Sequence, residues 1–273
     1  MTLLKEKDIC EVSKNLMSYN KELITKTGTD LAGIALHATG IYEKYYNSYK
    51  VNSHIAVVPV SCGDGVINGF CETIKDIINI LGFSSYVTSE KDISGIEEAY
   101  QRMADVIFIA DDEKFIALNT LSRKVVDNGD ATGRGYAAAL DLVAGGIRDK
   151  EVLLIGAGPV GIGAAAFLDM KGAKISVYDI DKEKAKSLKK HIENIKIVKE
   201  LDKVLPNFDF VLDATPAAGI IKETAVNERM IIAAPGIPLG IESTCVESLS
   251  HRIIHDVLEI GVATMLFHAL HDF

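Results

Sequence analysis

Glu151-Val152-Leu153-Leu154-Ile155-Gly156-Ala157-Gly158-Pro159-Val160-Gly161 is a short apolar run that halts on glycines at 156, 158 and 161. An apolar helical stretch follows to Lys171. Lys174 to Tyr178 then reads as a second strand, with Asp179 at its tip, 18 residues after Gly161. A lone GxGxxG occurs by chance often enough to mean little. Here it follows a strand, opens a helix and is answered by an acid at the end of the next strand, so the stretch predicts a dinucleotide-binding βαβ unit.

Each part has its physical reason. Gly156 allows the tight turn, Gly158 lets backbone amides approach a diphosphate, and Gly161 lets helix and strand pack closely. The helix N-terminus, carrying Pro159 and Val160, stabilises the phosphates through its unpaired N–H groups. Asp179 accepts hydrogen bonds from the adenosine ribose and repels a 2′-phosphate, and no arginine lies nearby to accommodate one. NAD is the expected cofactor. Asp181, the nearest rival for the ribose, reads as the cap of a helix from Lys182 to His191. The bland alternative is a fold of this shape that binds no nucleotide.

Working outward, further strands are expected at Ile195 to Val198, Asp209 to Leu212, Met230 to Ala233 and Arg252 to Ile254, giving a six-stranded parallel sheet. In such a sheet the loops at the strands' carboxyl ends face the ligand, so Ala214, Thr215, Pro216 and Pro235 are expected along the cofactor path. Prolines and glycines that merely end strands are the plainer reading. Upstream, residues 2 to 50 read as helices, the second from Asp30 through Tyr46. His54 to Val60 reads as strand, Ser61 to Gly65 as a glycine turn, and Ile67 to Leu81 as an amphipathic helix. Ser85 to Thr88 is a second strand. Ser94 and Glu97 form a capping-box spacing before a helix to about Met103, and Asp105 to Ala110 is a third strand. Residues 127 to 130 are polar, and a long helix from Ala131 to about Ile147 bridges to the nucleotide unit. A last helix, Leu258 to Leu270, has no strand left to cover. The expectation is an α/β protein of two domains: residues 1–130 as a smaller catalytic α/β domain, 131–256 as an NAD-binding Rossmann domain, and 257–273 packing back on the first.

Composition agrees with a globular enzyme and excludes other classes. The 273 residues are 48% hydrophobic and 25% charged, which rules out disorder, collagen and coiled coil. The longest nearly apolar run, Val152 to Leu168, is broken by glycines and a proline, so neither a membrane span nor a signal peptide is expected. The net charge of −9 argues against a nucleic-acid surface. Two thirds of that excess lies before residue 131, where a solvated acidic surface competes with a cation-binding role. Cys10, Cys62, Cys71 and Cys245 show no CxxC pairing, and reduced thiols in a cytoplasmic protein are expected.

Three constellations offer chemistry at strand ends. Asp111-Asp112 follows an apolar strand, and adjacent carboxylates suit an ammonium substrate; the plainer reading is a capped, solvated turn. Ser61-Cys62 offers two nucleophiles, yet no histidine lies at a telling spacing and turn formation explains both. His255-Asp256 is the third. His251 and His255 stand four apart, but the residues between them read as strand and no carboxylate or cysteine completes a set, so no metal is expected. Phe70 has core packing as its default and lies close after the glycine turn.

Several of these segments carry a resemblance. Val57-Val58-Pro59-Val60-Ser61-Cys62-Gly63-Asp64-Gly65-Val66-Ile67-Asn68-Gly69-Phe70, Ala110-Asp111-Asp112-Glu113-Lys114-Phe115, Asp213-Ala214-Thr215-Pro216-Ala217-Ala218, Ala234-Pro235-Gly236-Ile237-Pro238 and Gly261-Val262-Ala263-Thr264-Met265-Leu266 resemble the pyrrolysine synthase family. The likeness runs from about residue 50 onward, and the first 50 residues match loosely. It implies NAD-dependent oxidation of the terminal amine of 3-methyl-D-ornithyl-Nε-L-lysine (lysine-Nε-3-methyl-D-ornithine). The imine or semialdehyde then closes onto the ornithyl α-amine to give pyrrolysine. The resemblance assigns Asp111 to substrate-amine binding and proton acceptance, and Phe70, Ser61, Cys62 and Asp256 to substrate contact. Cys62 stands where the family pattern has a hydroxyl residue, Asp256 where it has a glutamate, and Pro159 where it has a lysine. Proline is compatible with a first helical turn. A small-molecule substrate and, at the level of assembly, a homodimer are the partners expected. The competing readings are another two-domain NAD-dependent dehydrogenase of the shikimate or methylene-tetrahydrofolate type, in which a first-domain lysine does the work, and a nucleotide-sensing protein without turnover.

Overall fold

The computed structural model describes residues 4–63 and 67–271; positions 64–66 of the Ser61-to-Phe70 segment lie outside the described residues. Four helices open the chain: α1 (Glu6–Ile9), α2 (Val12–Thr27), α3 (Leu31–Thr39) and α4 (Glu43–Asn52). The stretch expected as one helix from Asp30 through Tyr46 is therefore two. Gly40 adopts a φ of 73° and its N–H bonds the Leu36 carbonyl, a left-handed cap that ends α3.

β1 (His54–Val58), α5 (Phe70–Ile80), β2 (Ser84–Val87), α6 (Asp92–Gln101) and β3 (Val106–Ala110) form the expected unit, with β1 paired in parallel to both β2 and β3. β1 stops at Val58, two residues before the expected end, because Pro59 has no N–H to donate. The capping box expected at Ser94 is not formed. α6 starts at Asp92, which puts Ser94 inside the helix, and the Glu98 carboxylate instead accepts the N–H groups of Ser89 and Glu90 at 2.7 and 3.0 Å. Two strands went unforeseen, β4 (Phe115–Asn119) and β5 (Val125–Asp127), which extend the sheet antiparallel to the order β2-β1-β3-β4-β5.

α7 (Asn128–Val143) begins earlier than expected, since the Asp127 side chain caps it by accepting the Gly129 N–H. The polar residues 128–130 are thus its first turn and not a linker. Gly145 and Gly146, with φ of 62° and 97°, follow its end. Then come β6 (Glu151–Ile155), α8 (Pro159–Met170), β7 (Lys174–Tyr178), α9 (Lys182–His191), β8 (Lys196–Ile197), α10 (Leu201–Val204), β9 (Phe210–Asp213), β10 (Ile231–Ala233), α11 (Ser243–Leu249), β11 (Ile253–Ile254) and α12 (Glu259–Leu270). The six strands run parallel in the order β8-β7-β6-β9-β10-β11, the doubly wound arrangement that the glycine motif predicts. Asp181 caps α9 as expected, accepting the Glu183 N–H at 3.0 Å.

α12 leaves this sheet and packs on α3, α5, α7 and β4. It is apolar nearly all round and buried along its length, as a helix enclosed by others must be. Asn119 Nδ2 of β4 donates to the Ala269 carbonyl at 2.9 Å and ties its far end to the first sheet. α7 is crossed on one side by α8 and on the other by α12, and every crossing is made on glycine. A Cβ on Gly133 would stand 2.0 Å from the Val160 carbonyl oxygen, and one on Gly163 2.2 Å from that of Asp130. On the other side, a Cβ on Gly135 would meet Ile260 at 2.5 Å, and one on Gly261 the Thr132 hydroxyl at 2.5 Å. Backbone cannot yield as a flexible side chain can. Gly133→Ala should therefore cost about 1–3 kcal/mol of stability, read as a lowered midpoint in thermal unfolding; an unchanged midpoint would show that the helices can separate freely.

Candidate active site

A cavity of about 570 Å³ opens where the carboxyl ends of the two sheets face each other. On the nucleotide side it is lined by Gly158, Pro159 and Val160 at the start of α8, and by Ala214, Pro216 and Pro235 from the loops after β9 and β10. Gly156 has a φ of 96°, and a Cβ there would press on Thr215 at 2.9 Å. A Cβ on Gly161 would lie 2.0 Å from the Gly156 carbonyl oxygen, so helix and turn touch. A Cβ on Gly158 would meet nothing within 4 Å and would fill open space instead. No side chain caps α8, whose first turn faces the cavity. An uncapped helix start beside open space fits a diphosphate.

Asp179 ends β7 with Oδ2 accepting the Ala157 N–H at 2.6 Å and Oδ1 accepting that of Asp181 at 2.7 Å. It therefore holds the glycine loop in place. Thr215 is spent locally: its hydroxyl donates to Asp213 Oδ1 at 2.7 Å, and neither Thr215 nor Asp179 lines the cavity. Burial pushes the Asp213 carboxyl up to about 6. Lys184 of α9, which sequence reasoning passed over, lines the cavity and supplies a cation where Pro159 does not.

The opposite wall comes from the first sheet. Asp111 starts the β3–β4 hairpin, where its Oδ1 accepts the N–H groups of Glu113 and Lys114 at 2.8 and 2.7 Å. These two bonds hold its carboxyl below the usual range, so it stays charged. The helix cap weighed for it is thus an Asx-type turn in a hairpin. Asp111, Asp112, Cys62 and Phe70 all line the cavity, with Phe70 edge-on to Phe115 at 5.5 Å between ring centroids. Ser61 does not: its N–H and hydroxyl both go to the Asp92 carboxylate, at 2.7 and 2.5 Å. Lys114 also reaches the cavity and lies 3.4 Å from Asp127 Oδ2, so the first-domain loops offer a lysine alongside their carboxylates.

Asp256 lines the cavity from the segment before α12, yet is almost wholly buried. Tyr19 of α2 donates its hydroxyl to Oδ2 at 2.8 Å, and the Tyr136 hydroxyl of α7 takes the Asp256 N–H at 2.8 Å. Glu259, equally buried, accepts the N–H groups of Val257 and Leu258 through Oε2 at 3.1 and 2.9 Å. Burial raises both carboxyls, and the charge of Asp256 raises Glu259 further. His255 turns away, with Nδ1 at 2.6 Å from the Ala234 carbonyl oxygen. Among the described residues no group of histidine, cysteine and carboxylate side chains has the placement to hold a metal. Glu259, Tyr19 and Tyr136 were missed. Asp256-Val257-Leu258-Glu259 carried a signal, since an acid three residues before a glutamate ahead of an apolar run is a helix-start pattern.

Residues 8–126 match the model of the N-terminal domain of the pyrrolysine biosynthesis protein PylD, and residues 138–238 that of shikimate/quinate 5-dehydrogenase. Pyrrolysine synthase of Methanosarcina acetivorans is 31% identical over 272 residues, covering 99% of this chain and 100% of the relative. That of Methanosarcina barkeri is 32% identical, covering 99% and 98%. Among solved structures, shikimate dehydrogenase from Aquifex aeolicus superposes with a TM-score of 0.55 at 13% identity over 81% of this chain and 94% of its own. Quinate dehydrogenase from Corynebacterium glutamicum in complex with NAD gives 0.55 at 14% identity over 80% and 92%. The distant structures share the fold, and the near-complete match to the Methanosarcina proteins shows that the chain belongs to the pyrrolysine synthase family.

Proposed function

We propose that the chain oxidises the terminal amine of 3-methyl-D-ornithyl-Nε-L-lysine with NAD and closes the product to pyrrolysine. Residues 1–130 with 257–273 serve as the catalytic domain and 131–256 as the nucleotide domain. The observation that carries this reading is the meeting, across one cavity, of an uncapped glycine-loop helix start with the carboxylates of Asp111 and Asp256. The relatives' name and the full-length likeness support it.

Bound NAD supplies the hydride acceptor. With NAD bound, the Gly158–Val160 turn and Lys184 would hold the diphosphate, Asp179 would meet the ribose at the cavity's edge with the carboxylate lone pairs its two backbone bonds leave free, and Ala214, Pro216 and Pro235 would line the path toward the reacting end. Asp179 supports NAD over NADP because a carboxylate at this strand tip repels a 2′-phosphate.

Hydride can leave a carbon only when its amine lends a lone pair, so an ammonium with an ordinary pKa of about 10.4 must first lose a proton. Asp111, held charged by two backbone amides, is suited to grip a cation rather than to take a proton. Asp256, raised by burial, is the better acceptor. It takes the proton from the δ-ammonium before oxidation. After the ornithyl α-amine, in its neutral form, has added to the iminium carbon, Asp256 returns the proton to the nitrogen that departs as ammonia. The ring nitrogen gives both of its protons to solvent as the ammonia leaves, and the carbon–nitrogen double bond of the ring remains. Phe70 and Cys62 give this wall an apolar surface that excludes water from the imine.

A hydroxyl substrate is the second reading, favoured by the Lys114–Asp127 pair at the rim, which could accept an alcohol proton. Incubating the protein with NAD and the lysine-linked amine should give rising NADH absorbance together with the mass of pyrrolysine. NADH formation only with a hydroxy acid would establish the second reading instead. Asp111→Asn should lower kcat/KM roughly 100-fold, as loss of a charge-assisted contact implies, with NAD affinity unchanged; normal turnover would remove Asp111 from the site. Gly158→Ala should weaken NAD binding about tenfold while leaving the unfolding midpoint where it was, the reverse of Gly133→Ala.

A further inference from the structure

The reaction as described uses Asp256 but not a second carboxyl buried beside it behind the cavity wall. Asp256 and Glu259 stand three residues apart at the start of α12, both at most 7% exposed, and both carboxylates accept N–H groups of residues 257–260 there, so two acids are desolvated around one helix start. Two buried carboxyls this close, with no cation bonded to either, do not both ionise, so one of them keeps a proton. The groups facing the pair come from every element packed on it: Tyr19 from α2, Tyr136 from α7, His255 just upstream, and the N–H groups of Val257, Leu258 and Ile260. None of the side chains that hydrogen-bond the pair is a lysine or an arginine. Asp256 reaches the cavity, and Glu259 does not.

We propose that Glu259 holds the one proton of a buried carboxyl pair, and so presents Asp256 to the cavity as a single negative charge that receives a substrate ammonium. Glu259 is a positioning residue: it touches no substrate and acts through Asp256. One negative charge is what the site can sustain. The N-terminus of α12 and the hydroxyl of Tyr19 stabilise a single carboxylate, whereas a second, unpaired charge in the same buried place is costly. When an ammonium docks against Asp256, the proton on Glu259 becomes easier to lose. Cation binding should therefore tighten as pH rises through the titration of Glu259, with the extra proton released to solvent. Glutamine at 259 mimics the protonated acid and cannot follow.

The part of this inference that names the cation rests on the amine-oxidising reading; the shared proton does not. Two measurements on the full chain separate them. The first is a 13C NMR titration of free protein labelled at glutamate carboxyls. The wild type should show one glutamate still protonated at about pH 7, absent in Glu259→Gln, and a Glu259 ionised there overturns the pair. The second is calorimetric binding of the lysine-linked amine to the NADH complex, where no turnover occurs, in buffers of different ionisation enthalpy. The wild type should gain about tenfold in affinity above neutral pH for each pKa unit of coupling and release more protons than Glu259→Gln, whose affinity should stay flat there and match the wild type's on the acid side. Equal proton release by the two proteins overturns the role of Glu259. Failure of the amine to bind wild-type protein overturns the amine reading instead, with the NMR titration still deciding whether the proton is shared. Unchanged NADH affinity in Glu259→Gln shows that the variant is folded.

Discussion

The double crossing of α7 by α8 and α12, made on glycine at each contact, is the constraint from which the rest of the molecule follows. With Val160 carbonyl against Gly133 and Ile260 against Gly135, both neighbouring helices are held to one spine at backbone distance. The start of α8 is the glycine loop, and the start of α12 carries Asp256 and Glu259. A single steric arrangement thus sets the uncapped start of α8 and a buried carboxyl pair against the same helix, one on each side of the cavity. The two sheets need only complete the walls.

The three acids of the site differ by environment. Asp111 is exposed and tied to two backbone amides, which keeps it ionised and makes it a poor base. Asp256 and Glu259 are desolvated and lie beside each other, which makes the charged form costly and the proton hard to remove. Residues of one chemical type therefore divide between a carboxyl held in its charged form and carboxyls whose charged form is disfavoured. The division comes from hydrogen bonding and burial rather than from residue identity.

Legibility in the sequence followed the reach of the interactions. The glycine loop, the six parallel strands, Asp181 as a helix cap and the return of the last helix were all readable, because each rests on local spacing or on the periodicity of one element. The hairpin of β4 and β5 was not. Residues 113–126 alternate only weakly, and the turn that pairs them depends on Asp111 folding onto its own downstream amides. The Ser94 capping box had the right spacing but lost to Glu98, which reaches back from one residue further along. The polar residues 128–130 looked like a linker until the Asp127 cap made them the first turn of α7.

For the site, the glycine spacing and the strand ends were enough to raise a dinucleotide loop, Asp111 and Asp256 as candidates, the two acids' substrate roles coming from the family resemblance; both acids line the cavity. Which side chains reach the cavity was decided by tertiary structure alone. Ser61 was drawn away by Asp92, Thr215 by Asp213, while Lys114 and Lys184 were brought in. The pairing of Asp256 with Tyr19 spans 237 positions. No local pattern encodes such a contact, because it exists only once α2, α7 and α12 have been packed together and water has been removed from between them.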